Sequence, residues 1–141
     1  MTLGLNASYI YSKMFVSIVG SLPKYSSLEG ASPYLVNTDL SYEYTYKNWS
    51  VINSFVLKYF SDRIYTIGVG GFEDVIERSV PTLDFVSTTK VNKHLSFKLK
   101  AKNILDPTFE FTRKVTKTGV NQVLHSYRKG VDLSIGISYQ F

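Results

Sequence analysis

The last eleven residues, Val131–Phe141, read VDLSIGISYQF and carry the strongest structural signal in the chain. Successive side chains of a β-strand point to opposite faces, so every second residue shares a face. The residues of one face are all apolar, namely Val131, Leu133, Ile135, Ile137, Tyr139 and Phe141. Those of the other face are Asp132, Ser134, Gly136, Ser138 and Gln140. Because a tilted strand needs ~9–11 residues to cross a bilayer, this stretch predicts a membrane-spanning β-strand.

The same alternation recurs along the chain and predicts five further long strands. Their predicted ranges are 2–12, Tyr34–Thr45, Trp49–Tyr65, Pro81–Val91 and a fifth strand that begins at Leu95. The fifth strand places Leu95, Phe97, Leu99 and Ala101 opposite Ser96, Lys98, Lys100 and Lys102. We therefore expect an all-β fold, an antiparallel up-and-down meander of about six long strands that forms one unit over residues 1–141.

The predicted connections alternate strictly between long and short. Glycine, proline and serine mark long loops at Met14–Ser32, Thr66–Ser79 and Arg113–Gly130, while 47–48 and 92–94 are short turns. Outer-membrane barrels have short periplasmic turns and long extracellular loops. The pattern therefore predicts a segment of a transmembrane outer-membrane β-barrel.

Composition is compatible with this prediction and excludes several classes of site. The 141 residues suffice for one domain, and 15% of them are aromatic. The absence of cysteine excludes disulfide frameworks, thiol nucleophiles and thiolate metal sites. The formal charge of +5 allows attraction to anionic ligands or surfaces. No run approaches 18 consecutive apolar residues, so the sequence predicts no transmembrane helix.

Four stretches together resemble the closing section of TonB-dependent receptors. They are Ser32–Tyr44, Asp62–Tyr65, Lys100–Pro107 (KAKNILDP) and Ser126–Gly130 leading into the terminal strand. Their order and spacing are similar to that family over essentially the whole chain. The resemblance implies a plugged barrel of about 22 strands in the bacterial outer membrane. It also implies import of a scarce, bulky nutrient such as a metal chelate, cobalamin or a glycan, energised from the inner membrane.

Several parts of such a receptor do not appear in this sequence. Met1–Tyr9 lacks a basic region, a continuous apolar run and a cleavage site, so it reads as a strand and not as a signal peptide. No stretch resembles the plug. Six strands cannot enclose a lumen of the family's size, and open sheet edges in hydrocarbon cost on the order of tens of kcal/mol. We therefore expect a fragment whose partners are outer-membrane lipid, the remaining barrel and the plug, with TonB reached only through the plug.

The terminal strand has a second implied role. In barrels of this class, a terminal aromatic strand resembles the element read by the outer-membrane assembly machinery, by strand addition at an open edge. We therefore expect that machinery as a partner and an assembly signal in Leu133, Ile135, Ile137, Tyr139 and Phe141. A girdle of aromatic side chains that only anchors the strand is the simpler interpretation of the same residues.

Lys98, Lys100 and Lys102 form a basic stripe on one face of the fifth predicted strand. The stripe faces the lumen if the apolar face meets lipid, where it attracts anions or simply hydrates the barrel wall. The aromatic residues of this strand lie on the opposite face from the lysines. We therefore expect no nucleic-acid partner.

The remaining polar residues predict no enzyme and no cofactor. His94 falls in a short turn and His125 in a long loop, without acids at a metal-ligand spacing. The run Gly68–Gly71 lacks the lysine and the helix of a phosphate loop. Three acids of the second long loop have a possible contact with a ligand or cation, but a solvated loop is the simpler interpretation: Glu73, Asp74 and Glu77.

Two alternatives remain open at this point. A complete small outer-membrane barrel of eight strands requires two more strands inside the long loops, and Met14–Val19 is the only good candidate. A soluble, lipocalin-like ligand-binding barrel shows the same alternation, because period two does not reveal whether the apolar face points inward or outward. Such a barrel is expected to be monomeric without detergent. The sequence does not name a substrate or a ligand-binding residue.

Overall fold

The computed structural model describes residues 1–17 and 22–141, and within them the chain is all-β, with twelve strands and no helix. In chain order these are β1 Thr2–Tyr9, β2 Met14–Val16, β3 Lys24–Ser26, β4 Tyr34–Tyr46, β5 Trp49–Phe60, β6 Arg63–Thr66, β7 Val75–Glu77, β8 Pro81–Lys90, β9 Leu95–Lys102, β10 Thr108–Lys114, β11 Asn121–Arg128 and β12 Asp132–Tyr139. No helix of the described part is long and apolar enough to span a membrane.

Six strands form the main sheet, in the order β1-β4-β5-β8-β9-β12. Every neighbouring pair is antiparallel, and the strands follow one another in chain order. This confirms the predicted up-and-down meander of six long strands. Among the described strands the sheet does not close into a barrel, because β1 and β12 are its two edges.

The strand register aligns the apolar residues across the whole main sheet. Leu40 faces Phe55, and Phe55 faces Phe85 on the next strand. At the far edge, Leu99 faces Ile135. Cross-strand partners lie on the same side of a sheet, so the six strands share one continuous apolar face. The opposite face is mainly polar, and its large apolar exceptions lie on β4, β5 and β8: Leu35, Ile52, Val56, Phe60 and Val86.

The connections alternate as predicted. Two residues, Lys47 and Asn48, join β4 to β5, and Lys47 takes a left-handed φ of 51°. Residues 91–94 join β8 to β9, where the Asn92 carboxamide accepts hydrogen bonds from the His94 and Leu95 amides. We call the end of the strands that carries these turns the short-turn end. The opposite end of the strands is the long-loop end. Its three long connections are called the first excursion (10–33), the second excursion (61–80) and the third excursion (103–131).

The excursions are not the plain loops that the sequence predicts. The second and third excursions together form a second sheet in the order β11-β10-β7-β6, and the first contains the hairpin β2–β3. Gly70 and Gly71 lie in the turn between β6 and β7, and Gly119 lies in the turn between β10 and β11, all three with a left-handed φ. The predicted long loops are therefore wrong in this respect, because turn residues marked hairpin ends and not continuous loops.

Two predicted strands also need correction. The strand predicted over Trp49–Tyr65 ends at Phe60, because the Asp62 carboxylate accepts hydrogen bonds from the Ser79 amide and Arg78 and holds the chain as it leaves the main sheet. Within the predicted Met14–Val19, only Met14–Val16 is a strand, and it pairs with Lys24–Ser26 outside the main sheet. The rest of that prediction, from residue 18, lies outside the described residues. The described main sheet thus keeps six strands.

The buried core lies at the long-loop end. The most deeply buried apolar side chains are in or beside the second sheet: Ile67, Val75, Val80, Phe109 and Phe111. The main sheet instead leaves large apolar side chains uncovered, and Ile135 is 79% exposed. The apolar face of the main sheet therefore has no covering layer within the described chain.

Candidate ligand-binding site

A network of hydrogen bonds closes the base of the third excursion. The side-chain amide of Asn103 donates to the Gly130 carbonyl at 2.8 Å, and the backbone amide of Gly130 donates to the Asp106 carboxylate at 2.9 Å. Arg128 donates to the Asp106 carbonyl and forms a 3.1 Å ion pair with its carboxylate. We call these four residues the clasp. The clasp therefore fixes the points at which the third excursion leaves the main sheet and returns to it.

Asp62 closes the base of the second excursion. Its carboxylate accepts hydrogen bonds from the Ser79 amide at 2.6 Å and from Arg78 at 2.7 Å. Partial desolvation raises the pKa of Asp62, but the hydrogen bonds from Ser79 and Arg78 outweigh it and hold the pKa below its ordinary 3.8. The carboxylate is therefore charged at neutral pH and ties the two ends of the excursion together.

Contacts between excursions hold the second sheet in place. Strand β7 of the second excursion pairs with β10 of the third. The Arg78 amide donates to the Glu110 carbonyl, and the Gly30 amide of the first excursion donates to the Ile64 carbonyl. An ion pair of 2.6 Å joins Lys24 to Asp74. The second sheet is therefore anchored at several points.

One face of the second sheet is concave and aromatic. An open concavity of about 700 Å³ lies on this face, within the ~300–1,000 Å³ of small-molecule sites. The buried ring of Phe111 forms its floor, 4.6 Å from the ring of Tyr65. The rings of His125 and Tyr127 lie 5.9 and 6.1 Å from Phe111. We call these four rings the aromatic platform.

Both register irregularities of the second sheet fall in this concavity. Tyr65 is an extra residue between Ile64 and Thr66 in the β6–β7 pairing, and Leu124 is the extra residue of β11 opposite β10. Both line the concavity. A β-bulge bends its strand, increases the local twist and redirects a side chain, and bulges are frequent beside functional sites. The two bulges lie on the edge strands and curve the sheet around the aromatic platform.

The concavity is lined by one pair of opposite charges and by one positive charge that has no partner among the described residues. Arg63 donates to the Glu77 carboxylate at 2.7 Å, so these two charges neutralise each other, and Glu77 is buried. Arg113 forms no ion pair with any described residue, and its buried Nε has no hydrogen-bond acceptor among them. Its guanidinium lies 5.3 Å from the ring of Phe72. Arg113 thus gives the concavity an uncompensated positive charge.

A second concavity of about 380 Å³ adjoins the first. Arg113 lines both, and the smaller one is also lined by Phe72, Lys114 and Lys117. The positive charge therefore extends from the aromatic platform into the neighbouring concavity.

The predicted lysine stripe has the predicted facing. Lys98, Lys100 and Lys102 lie on the polar face of β9, and Lys98 and Lys102 are exposed. Their partners on β12 are small or acidic: Gly136, Ser134 and Asp132. The stripe belongs to the main sheet and not to the aromatic platform. That it lines a lumen stays a prediction.

The predicted assembly signal also has the predicted facing. Leu133, Ile135, Ile137 and Tyr139 lie on the apolar face of the edge strand β12, and all of them are exposed. Phe141 follows the strand, and its ring contacts that of Tyr139 edge-on at 5.2 Å. Recognition by the assembly machinery stays a prediction.

Other expected positions differ from the structure. His125 lies on strand β11 and not in a loop, whereas His94 lies in the predicted turn beside the Gln140 carbonyl. Glu77 and Asp74 are not solvated loop acids, because each forms an ion pair. Gly68 donates its amide to the Asp74 carboxylate. The described residues contain no group of three or more side chains positioned to hold a metal ion.

No local sequence pattern predicts the aromatic platform. Phe109, Phe111 and Arg113 alternate along one face of a strand, but the glycine and serine content of Arg113–Gly130 predicts a loop there. The pairing that brings Tyr65 to Phe111 joins residues far apart in sequence, and local periodicity does not contain that information.

Comparisons with protein-family models, with curated proteins and with solved structures found no match for this chain.

Proposed function

We propose that the main sheet is part of the wall of a TonB-dependent outer-membrane receptor that imports a scarce, bulky nutrient. The sequence resemblance suggests this family. The observation that carries the proposal is the continuous, uncovered apolar face of the six-stranded sheet.

The order of side chains on that face supports contact with lipid. Aromatic residues gather near the short-turn end, at Tyr44, Tyr46, Trp49, Tyr139 and Phe141. A second aromatic group lies near the long-loop end, at Tyr9, Tyr34 and Tyr59. Leucine, isoleucine and phenylalanine occupy most of the band between them. Outer-membrane barrels have this arrangement, with an apolar band between two aromatic girdles.

The spacing of the two groups supports the same proposal. Ten positions separate Trp49 from Tyr59 on β5. At ~3.4 Å per residue they lie about 34 Å apart along the strand, which a tilt of ~40° reduces to about 26 Å across the membrane. The apolar band of outer-membrane barrels is ~25 Å tall. The main sheet therefore has the height that such a membrane requires.

The two sheet edges fit a wall that continues beyond these strands. An edge in hydrocarbon leaves backbone groups without partners, at several kcal/mol each. In the proposed receptor, further strands pair with β1 and β12, the polar face with Lys98, Lys100 and Lys102 lines the lumen, and the excursions lie on the outer side.

Lipid quenching of tryptophan fluorescence tests which face meets the bilayer. Trp49 is the single tryptophan, so its emission is unambiguous. In a Trp49→Phe background, Phe55→Trp and Ser54→Trp place the probe on adjacent residues of opposite faces. With the chain reconstituted in phospholipid vesicles, we expect deep-brominated lipid to quench Phe55→Trp strongly and Ser54→Trp little. In the unaltered chain, shallow-brominated lipid should quench Trp49 more than deep-brominated lipid does.

Equal quenching of the two adjacent probes would contradict the proposal. A monomer that stays in solution without detergent and shows no quenching would favour the lipocalin-like barrel instead. The eight-stranded small barrel predicts the same quenching, but the described main sheet lacks its two additional strands.

A further inference from the structure

We infer that the aromatic platform and Arg113 form a binding site for a small anionic aromatic ligand, which the proposed receptor captures at its outer end. This inference rests on the proposed function for its biological setting. The site itself is argued from the second sheet alone.

The platform offers exposed ring surface above a fixed floor. Phe111 is buried and contacts both tyrosine rings, whereas Tyr65 is 57% and Tyr127 36% exposed, so both tyrosines offer ring surface to a flat ligand in the concavity. Tyr127 is itself held by a stack on the buried ring of Phe109, 5.2 Å away with 10° between the ring planes. Rings that are already positioned lose little conformational entropy when a ligand stacks on them.

Arg113 supplies the anion-binding group. A buried N–H without an acceptor is rare in folded proteins, because the missing hydrogen bond has a cost. Its guanidinium is planar and presents a fork of donors that matches a carboxylate. Since Glu77 is already paired with Arg63, no described acid of the lining competes for Arg113. Because Arg113 lines the concavity, a carboxylate carried by the ligand would pair with the part of the guanidinium that faces it and neutralise the charge.

The lining favours an anion over a neutral glycan. Sugars also stack on tyrosine, but their hydroxyl groups need several free carboxylates or amides as partners. The described lining of the larger concavity contains no asparagine, glutamine or aspartate, and its one glutamate is paired. Lys114 and Lys117 in the adjoining concavity add further positive charge.

The test uses four probes on the chain folded in detergent micelles: 2-naphthoate, its uncharged analogue 2-naphthylmethanol, maltohexaose and inorganic phosphate. The readouts are the NMR cross-peak of the Arg113 Nε–H group and the backbone cross-peaks of β10 and β11. We expect 2-naphthoate to shift these signals saturably, and the other three probes to cause no saturable shift.

Two variants that each remove one positive charge test whether Arg113 binds the anionic group of the ligand. Arg113→Gln should weaken 2-naphthoate binding about ten- to hundredfold, because it removes a hydrogen-bonded ion pair. Lys93→Gln, at the short-turn end, removes the same charge and should leave binding unchanged. If Arg113→Gln disturbs the backbone signals of the second sheet, Arg113→Lys is used in its place to test the role of the guanidinium. It keeps the charge but loses the fork, and we expect about tenfold weaker binding.

Each other outcome overturns the inference. Equal binding of 2-naphthylmethanol would leave only an apolar patch, binding of maltohexaose would make the platform a glycan site, and binding of phosphate alone would remove the role of the rings. No saturable shift with any probe would remove the site. Tryptophan quenching separates these failures from failure of the proposed function, because it reports only on the main sheet.

Discussion

At the scale of single residues, Gly130 shows why certain positions of the clasp are restricted. Its φ of 79° lies in the left-handed region, its amide donates to Asp106 and its carbonyl accepts from Asn103. Asn103 and Asp106 also take positive φ values, of 56° and 40°. The clasp therefore concentrates three unusual backbone conformations, which its own hydrogen bonds stabilise.

Replacing Gly130 by alanine should loosen the third excursion. No heavy atom lies within 4 Å of the added methyl group, so the cost is conformational and amounts to about 1–2 kcal/mol. We expect faster hydrogen exchange of the β10 and β11 amides. Gly136→Ala is the matched control, because Gly136 is extended and its Cβ would meet Lys98 atoms at 4.0 Å, an ordinary contact. Unchanged exchange in Gly130→Ala would contradict the importance of the clasp.

At the scale of elements, the bases of the excursions decide where strands end. Sequence alternation continues from Trp49 past Phe60, yet Asp62 and its partners direct the chain out of the main sheet. The excursion then forms two strands of its own, β6 and β7. A charged hydrogen-bonded residue thus overrides a local preference for extended structure.

The low pKa of Asp62 makes the second excursion sensitive to acid. Because the folded pKa lies below the ordinary 3.8, the stabilising contribution is fully present above about pH 3.8 and is lost as the pH falls through the folded pKa. We expect the NMR signal of the Ser79 amide to titrate with an apparent pKa below 3.8.

Substitutions of the partners check that assignment. Arg78→Gln should move the apparent pKa of Asp62 toward its ordinary value, because it removes a hydrogen bond and a favourable charge. Asp62→Asn should abolish the titration of the Ser79 amide. A Ser79 titration that survives in Asp62→Asn would assign the effect to another group.

At the scale of the whole molecule, the two sheets have different surroundings. The second sheet contains the buried core, whereas the main sheet leaves an apolar face uncovered. Burial of apolar surface contributes roughly 25 cal/mol per Å². In the proposed receptor, lipid covers this face and supplies the apolar environment that the described chain lacks.

The terminal aromatic residues give a prediction at this scale. In vesicles that contain purified outer-membrane assembly machinery, Phe141→Ala should reduce the protease-protected fraction of the chain severalfold, because an exposed aromatic of the expected assembly signal is lost. Ser138→Ala, on the polar face of the same strand, is the control. An equal protected fraction for Phe141→Ala and the unaltered chain would leave this residue only an anchoring role.

The sequence by itself determined the six long strands and the facing of their side chains. Residues such as Leu133 and Ser134 point to opposite faces because of the local geometry of an extended chain, so periodicity is sufficient to predict them. The turns at 47–48 and 92–94 followed from the breaks in that periodicity.

Only the tertiary structure decided the second sheet and the candidate site. Strand β7 has three residues, too few to show a period, and it exists because β6 and β10 pair with both of its edges. The same pairings bring Tyr65 to Phe111 and leave Arg113 without an acid among the described residues. Contacts between distant segments create these features, and such contacts are absent from any local pattern.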